Sequence, residues 1–575
     1  MTGTETDGGT VTHAHSDVRR VGSESRNRVR GSLGARIPEV LVVVLGCVLW
    51  STGSFVGRLA PVDNVSYLSI AENWAAGRWS EAVNGYWSPL FSWLLIPFSW
   101  TGMDGNDAAF VIGVAAAVAA TDRLRVLCRA VTTVGPRRHA VTEIMLVGSV
   151  PFQLFTIFRL AVSDALMAVG VFAALAALFD LTSTSVRRGI RVGMWSSFAF
   201  LAKAVALPLM VSVIAGWAAI TLIDSAAGRV RRDRRASPTT VGIGYGVLGV
   251  SVLATVAVLS VHYGEFTLNR SATYHAQITA PGARGNPFEW AGLLEPTNDQ
   301  VISAWEDPSL ATSPDGIRID LSEPAPGAPS GDPRGDGDGR LSRFVDNLAR
   351  AARPTTALAG SVIVAALSAL ASIALAVRRW VRRDEIGPRL RAVLSIVLCA
   401  GFYVAGLSLL VVGARYLLTA ILLAVPLAAW GLDHLATRRS LGGGTILVIA
   451  VLVAVASSVR PAVSLAGFPD VVSSYDDPLV PAVVAIREGD RVASLEMDLG
   501  FLAVCRQAGC TYWGEPTDSS DVGLAAELSS ADIDVLAVPS DQEGRLPSGV
   551  TGEATILANW DEYTLLDAST IDAGP

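Results

Sequence analysis

Apolar stretches long enough to cross a bilayer recur along this chain, and the arginines between them are sorted by side. A hydrocarbon core needs about 20 apolar residues per helix, and about eleven stretches approach that length. They lie near 38–58, 107–121, 141–159, 165–181, 190–204, 205–223, 241–262, 356–377, 392–412, 416–432 and 444–460. Arg19, Arg20, Arg26, Arg28, Arg30 and Arg36 precede the first stretch, and Arg123, Arg125, Arg129, Arg137 and Arg138 separate the second from the third. Arg187, Arg188 and Arg191 separate the fourth and fifth, and Arg229, Arg231, Arg232, Arg234 and Arg235 the sixth and seventh. Arg378, Arg379, Arg382, Arg383, Arg389 and Arg391 fall between the eighth and ninth, and Arg438 and Arg439 between the tenth and eleventh. Every second connection is therefore basic. Basic loops stay cytoplasmic, so the pattern predicts an all-α polytopic membrane domain of about 11 transmembrane helices with its N-terminus inside. A composition of 51% hydrophobic and 17% charged residues, with mean hydropathy +0.44, excludes an ordinary soluble domain. The net charge of −7 says little, because the charges are separated by side.

Three segments follow. Residues 1–35 are Gly-, Ser-, Thr- and Arg-rich and read as a disordered cytoplasmic N-terminus. No small-residue cleavage site follows the first apolar run, which reads as a retained anchor. Residues 36–460 form the membrane domain, with outer loops at 59–106 and 263–355. The second loop is Pro-, Gly- and Asp-rich and should be flexible. Its repeated Asp-Gly lacks the spacing and terminal Glu of a calcium loop. Residues 461–575 read as a small extracytoplasmic α/β domain: strand RVASLEM, helix LGFLAVCRQAG, then TYWG, helix VGLAAELSSA and strand DIDVLAVPS. It has no GxGxxG and no P-loop, and nothing points to nucleotide or nucleic acid. Cys505 and Cys510 stand on the oxidising side, where a disulfide is open to them if their Cα atoms are close. Cys47, Cys128 and Cys399 read as packing residues.

The first outer loop is too polar and too broken to be a span. Its sequence predicts an amphipathic helix from Ser66 to Ala76, closed by Gly77, then a turn at Asn84 and Gly85. An aromatic-rich helix entered through Pro89 completes it. Aromatics and one-sided apolar residues beside a span suggest helices lying in the membrane interface. Asp63 stands just ahead of the first helix, where it can serve as an N-cap or as a base.

Three more positions gather at the outer boundary. Asp164, in FRLAVSDALMAVG, starts the fourth stretch, with Arg159 as its near partner. An ionisable group at that depth is costly unless paired or used. Lys203, in AFLAKAVALPL, is the only lysine of the chain. It can snorkel to the interface or neutralise a phosphate or carboxylate. Arg415, followed by Tyr416, lies on the side the positive-inside rule disfavours, which points to a specific anionic partner such as phosphate. Two acids and two cations at one interface suit transfer from a lipid-linked phosphate donor.

These features resemble the polytopic, polyprenyl-phosphate-dependent glycosyltransferases of the type-C fold, the protein O-mannosyltransferase and lipid A aminoarabinose transferase kind. The resemblance rests on Asp63 with Tyr67 in SYLSIAENWAAGRW, Ser-Pro-Leu in YWSPLFSWLL, SDAL at Asp164, the AK at Lys203, and ARYLL at Arg415 and Tyr416. It implies a sugar donor on a polyprenyl phosphate and an acceptor hydroxyl on a polysaccharide, lipid or protein. It further implies Asp63 as general base, inversion at the anomeric carbon, and Lys203 and Arg415 on the departing phosphate. Asp164 would orient the acceptor or organise Arg159. Asn64, Tyr67, Asn84, Tyr86 and Trp87 would line the sugar site. Two departures stand out: Asn64 follows Asp63 where many relatives carry a second acid, and Ser88 stands where many carry a charge before the proline. They leave the sugar, hexose or pentose, and any divalent metal open; no metal ligands or cofactor are assigned. Asn64-Val-Ser and Asn269-Arg-Ser match the glycosylation triplet, which is frequent by chance.

Two other classes share parts of this pattern. A transporter or flippase would also carry many spans and intramembrane charges, but usually with repeated halves. A non-catalytic assembly protein would tolerate Asp63→Asn.

Overall fold

The computed structural model describes residues 36–51, 62–133, 136–159, 162–180, 182–226, 238–264, 266–269, 359–382, 387–408, 418–438, 443–466, 480–495, 501, 504–505, 508–514, 521–530, 532–540, 555–559 and 563–571. The N-terminal segment, nearly all of the long loop at 263–355, and Arg415 with Tyr416 lie outside them.

Each apolar stretch of the sequence overlaps one helix. In chain order these are α1 (Ile37–Ser51), then, after the first outer loop, α5 (Gly105–Val131), α6 (Pro136–Arg159), α7 (Val162–Phe179) and α8 (Ser185–Ala202). They continue with α9 (Ala206–Ala226), α10 (Pro238–Tyr263), α11 (Ala359–Val381), α12 (Pro388–Ser408), α13 (Leu418–Arg438) and α14 (Gly443–Ala466). Five described segments are long and apolar enough to cross a membrane: Val162–Phe179, Pro238–Tyr263, Pro388–Ala405, Leu418–Ala436 and Gly444–Val463. The ends follow local chemistry. Asp104 caps α5, its carboxylate accepting from Asn106 N at 2.8 Å, and Thr184 caps α8 by accepting from Arg187 N.

Small residues set the helix spacing. A Cβ added at Gly148 of α6 would lie 2.6 Å from the Cβ of Ala454 on α14, and one at Gly170 of α7 would lie 2.7 Å from the backbone N of Ala199 on α8. Close backbone approach of this kind supplies the packing that hydrophobicity cannot supply between helices in lipid. α8 is thereby held between α7 and α10, and α6 against α14.

Several arginines of the expected basic loops lie inside helices, and one of them is deeply buried. Arg125 lies inside α5, buried, with Nη2 2.6 Å from Glu39 Oε2 of α1 and Nε 2.9 Å from Glu143 Oε1 of α6. Its Nη1 also bonds Glu39 Oε1. A buried guanidinium needs such partners, so Arg125 ties three helices together.

The first outer loop folds into α2 (Val62–Ala75), α3 (Trp79–Ala82) and α4 (Leu90–Thr101). α2 starts earlier than the sequence suggests and takes Asp63 into its first turn, which removes the expectation that Asp63 stands ahead of the helix. Its end is as expected: Gly77 adopts φ +76°, Arg78 N donates to Asn73 O and Gly77 N to Trp74 O. This is a Schellman closure. The Arg78 guanidinium completes it on Asn73 Oδ1. The expected one-sided interfacial helix is not what forms, however, because Asn64 through Ala71 are all buried.

The C-terminal unit contains α15 (Val480–Ala485), β1 (Arg491–Ser494), β2 (Thr511–Gly514), α16 (Asp521–Ser530), β3 (Val535–Pro539), β4 (Thr555–Asn559) and β5 (Tyr563–Asp567). The sheet order is β2-β1-β3-β5-β4. β1 runs parallel to β2 and β3, and β5 antiparallel to β3 and β4. Cys505 and Cys510 are bonded to each other, with Cα atoms 4.4 Å apart.

Candidate active site

The site is built where the first outer loop meets the break between α8 and α9. α8 ends at Lys203, whose backbone turns extended at φ −159°. Ala206 N then donates to Lys203 O, and Leu207 N to Ala204 O, as α9 begins. Ala204 N, an orphan donor of the new helix, is satisfied from outside: it donates to Ser88 Oγ at 3.0 Å. Ser88, one of the two departures from the resembled pattern, thus fastens the first outer loop to the residue beside Lys203.

The loop that carries Ser88 is pre-shaped. Asn84 Oδ1 accepts from Tyr86 N and Trp87 N, both at 2.8 Å, an Asx-type turn. Gly85 is gripped from α10's end: its N–H donates to Tyr263 Oη at 2.9 Å and its carbonyl accepts from Asn269 Nδ2 at 3.2 Å. Nothing local in the sequence marks Tyr263 or Asn269 for this role, since they lie 178 and 184 residues away. Asn84 therefore shapes the turn through its side chain.

Lys203 and Asp164 meet. Lys203 Nζ is 2.5 Å from Asp164 Oδ1, with side-chain exposures of 21% and 1%. The ammonium is thus not snorkelling, and among the described residues the carboxylate's partner is Lys203. The side chain of Arg159 lies outside the described residues, as does that of Asp63. The pair stands at the C-terminus of α8, where the helix dipole favours a cation. Among the described residues, Asp164 Oδ2 is buried with no hydrogen-bond partner, and so is Asn64 Oδ1. A buried, unpaired carboxylate oxygen is costly, and an incoming donor group would relieve it.

Tyr67 is a packing residue. It is 2% exposed, with its ring 5.1 Å from both Trp87 and Phe91, and its carbonyl accepts from Ser92 Oγ at 2.9 Å. It braces α2 against α4 instead of facing an open sugar site. Asn64 is 7% exposed within a helix, so its triplet is not an accessible glycosylation acceptor. Among the described residues no group of three His, Cys, Asp or Glu is placed to hold a metal.

No protein-family model and no curated protein matches the sequence. Solved structures do. ArnT from Cupriavidus metallidurans in the apo state aligns with TM-score 0.51 and 12% identity, over 93% of this chain and 99% of that one. The fold is shared with ArnT. The same protein bound to undecaprenyl phosphate aligns with TM-score 0.50 and 13% identity, over 93% and 99% of the two chains. The archaeal oligosaccharyltransferase AglB from Archaeoglobus fulgidus, in complex with an inhibitory peptide and a dolichol-phosphate, is a more distant likeness. It aligns at TM-score 0.44 and 10% identity over 88% and 70%. The ArnT likeness spans membrane helices and C-terminal unit together, and it is the type-C glycosyltransferase fold that the sequence resembles. At this identity it speaks for architecture.

Proposed function

We propose that this chain is an integral-membrane glycosyltransferase. It moves a sugar from a polyprenyl-phosphate donor to an acceptor hydroxyl on the extracytoplasmic face, with inversion. The observation that carries the reading is the Lys203–Asp164 pair, at the outer end of α8 in an ArnT-like fold. One of the ArnT structures holds undecaprenyl phosphate. A leaving sugar phosphate needs a fixed cation where its charge develops. Asp164 holds the Lys203 ammonium at a definite place before the donor arrives, and Arg415 is the second cation. Asp63 takes the proton of the acceptor oxygen as that oxygen attacks the anomeric carbon and the phosphate departs with the bonding pair. Asp164 is then a positioning residue for Lys203. Tyr86 and Trp87 offer ring faces to the sugar on the turn that Asn84 shapes.

All eleven apolar helices span the membrane in this reading, with the N-terminus inside. The bonded Cys505 and Cys510 favour an oxidising compartment for residues 461–575. Binding of undecaprenyl phosphate to the purified full-length protein tests the cation. Wild type should bind it, and Lys203→Met should weaken binding about tenfold or more, the loss of one charge-assisted phosphate contact, with Lys203→Arg intermediate. Equal binding by wild type and Lys203→Met would remove Lys203 from the phosphate site.

A further inference from the structure

The opening turns of α2 are enclosed on every side. Asn64, Val65, Ser66, Tyr67, Leu68, Ser69, Ile70 and Ala71 are buried in succession, more than two turns of a helix with about 3.6 residues per turn. A helix resting on a surface buries one stripe, so two bodies must close around this one. The first is the membrane domain, whose core takes in Tyr67, Leu68 and Ala71 with Phe91 and Leu95 of α4. The second is the C-terminal unit. Val65, 0% exposed, belongs to the buried cluster of Ile486, Val492, Phe501, Cys505, Tyr512 and Leu565. Among the described residues it is the one member of that cluster contributed by the membrane domain.

We propose that the C-terminal α/β unit is a clamp on α2, and that Val65 is the positioning residue through which it sets the location of Asp63. The inference rests on the reading of Asp63 as base. Asp63 and Val65 share one helical turn, so a displacement of Val65 carries Asp63 with it. Misplacing a reacting group by about 1 Å costs on the order of 10²-fold in rate. Within the turn itself the side-chain hydrogen bonding is sparse: among the described residues the buried Asn64 Oδ1 has no hydrogen-bond partner. The face of the clamp is covalently braced, because Cys505 lies in the cluster and is bonded to Cys510, which packs against it. Opening that bridge with a dithiol, which transfers two electrons and two protons to give two thiols, frees the segment beneath Val65.

The test uses the full-length protein with Val65→Ala, Val65→Ile and dithiol-treated wild type. Hydrogen exchange over residues 64–71 should rise in Val65→Ala and after reduction, while α4 stays protected. Transfer should show kcat reduced about tenfold or more with donor KM within about twofold, and Val65→Ile should restore both. Unchanged exchange in Val65→Ala, or a loss confined to donor KM, would overturn the clamp. Raised exchange in a protein that transfers no sugar even as wild type would uphold the clamp and discard the base.

Discussion

At the scale of single residues, the account turns on a carboxylate that is 0% exposed and stands 2.5 Å from the chain's only lysine. Removing one partner of a buried pair leaves a charge uncompensated and costs about 3–5 kcal/mol. Asp164→Asn should therefore lower thermal stability and transfer together. Lys203→Met should lower transfer by about 10²–10³-fold, the range for one lost electrostatic stabiliser. In a double-mutant cycle the two losses should fall well short of additive; additive losses would mean that Asp164 does not act through Lys203. The sequence marked both residues but not their meeting, because a pairing across 39 residues has no local signature; the expected Asp164–Arg159 pairing falls on a side chain outside the described residues. A second carboxylate illustrates the opposite end of α7. Burial alone would raise the pKa of Asp180, but hydrogen bonds from Thr182, Ser183 and Arg191 outweigh it and hold the group well below the usual carboxylate range. A depressed folded-state pKa means that its stabilisation is present above the unfolded value of 3.8 and lost as pH falls below it. Thermal unfolding of Asp180→Asn should show a deficit at pH 7 that shrinks below about pH 4.

At the scale of elements, the spacing of α7 and α8 decides whether Lys203 reaches Asp164. Gly170 lies six residues beyond Asp164 and Ala199 four before Lys203, and a Cβ on Gly170 would strike the Ala199 backbone at 2.7–2.9 Å. Gly170→Ala should cost about 1–3 kcal/mol by overpacking and weaken transfer without touching the site. Unfolding and transfer assays of this variant check both effects. The glycine was visible in the sequence; the helix it meets was not, since helix partners in a bundle are set by tertiary packing. α2 shows the same limit from the other side. The sequence predicts it as an amphipathic helix lying in the membrane interface. In the fold the polar Ser66, Ser69 and Asn73 are buried along with the apolar residues between them. The Gly77 closure, by contrast, was legible because a left-handed C-cap depends on one residue and its immediate neighbours.

At the scale of the whole molecule, the positions of the eleven helices were legible from apolar run length, and the sheet only in part. β1 and β3 were marked by short β-prone runs, while TYWG was noted without being assigned to a strand. β4 and β5 were missed: β4 is an edge strand with an exposed pattern, lacking the buried alternation that sequence reading relies on. The proposed topology makes a direct prediction in a background without Cys47, Cys128 and Cys399. A cysteine replacing the exposed Val484 should react with an impermeant maleimide in intact cells. One replacing the exposed Arg187 should react only after permeabilisation, and the reverse result would invert the chain.

The most direct measurement follows a labelled sugar leaving its polyprenyl phosphate in membranes containing this protein, with wild type and Asp63→Asn side by side across a panel of donors. The account predicts that wild type releases the label from at least one donor and that Asp63→Asn lowers this rate by about 10²–10⁴-fold, as expected for loss of a general base. Equal release by the two proteins, or none from any donor by a folded wild type that does not unfold on isolation, would contradict it.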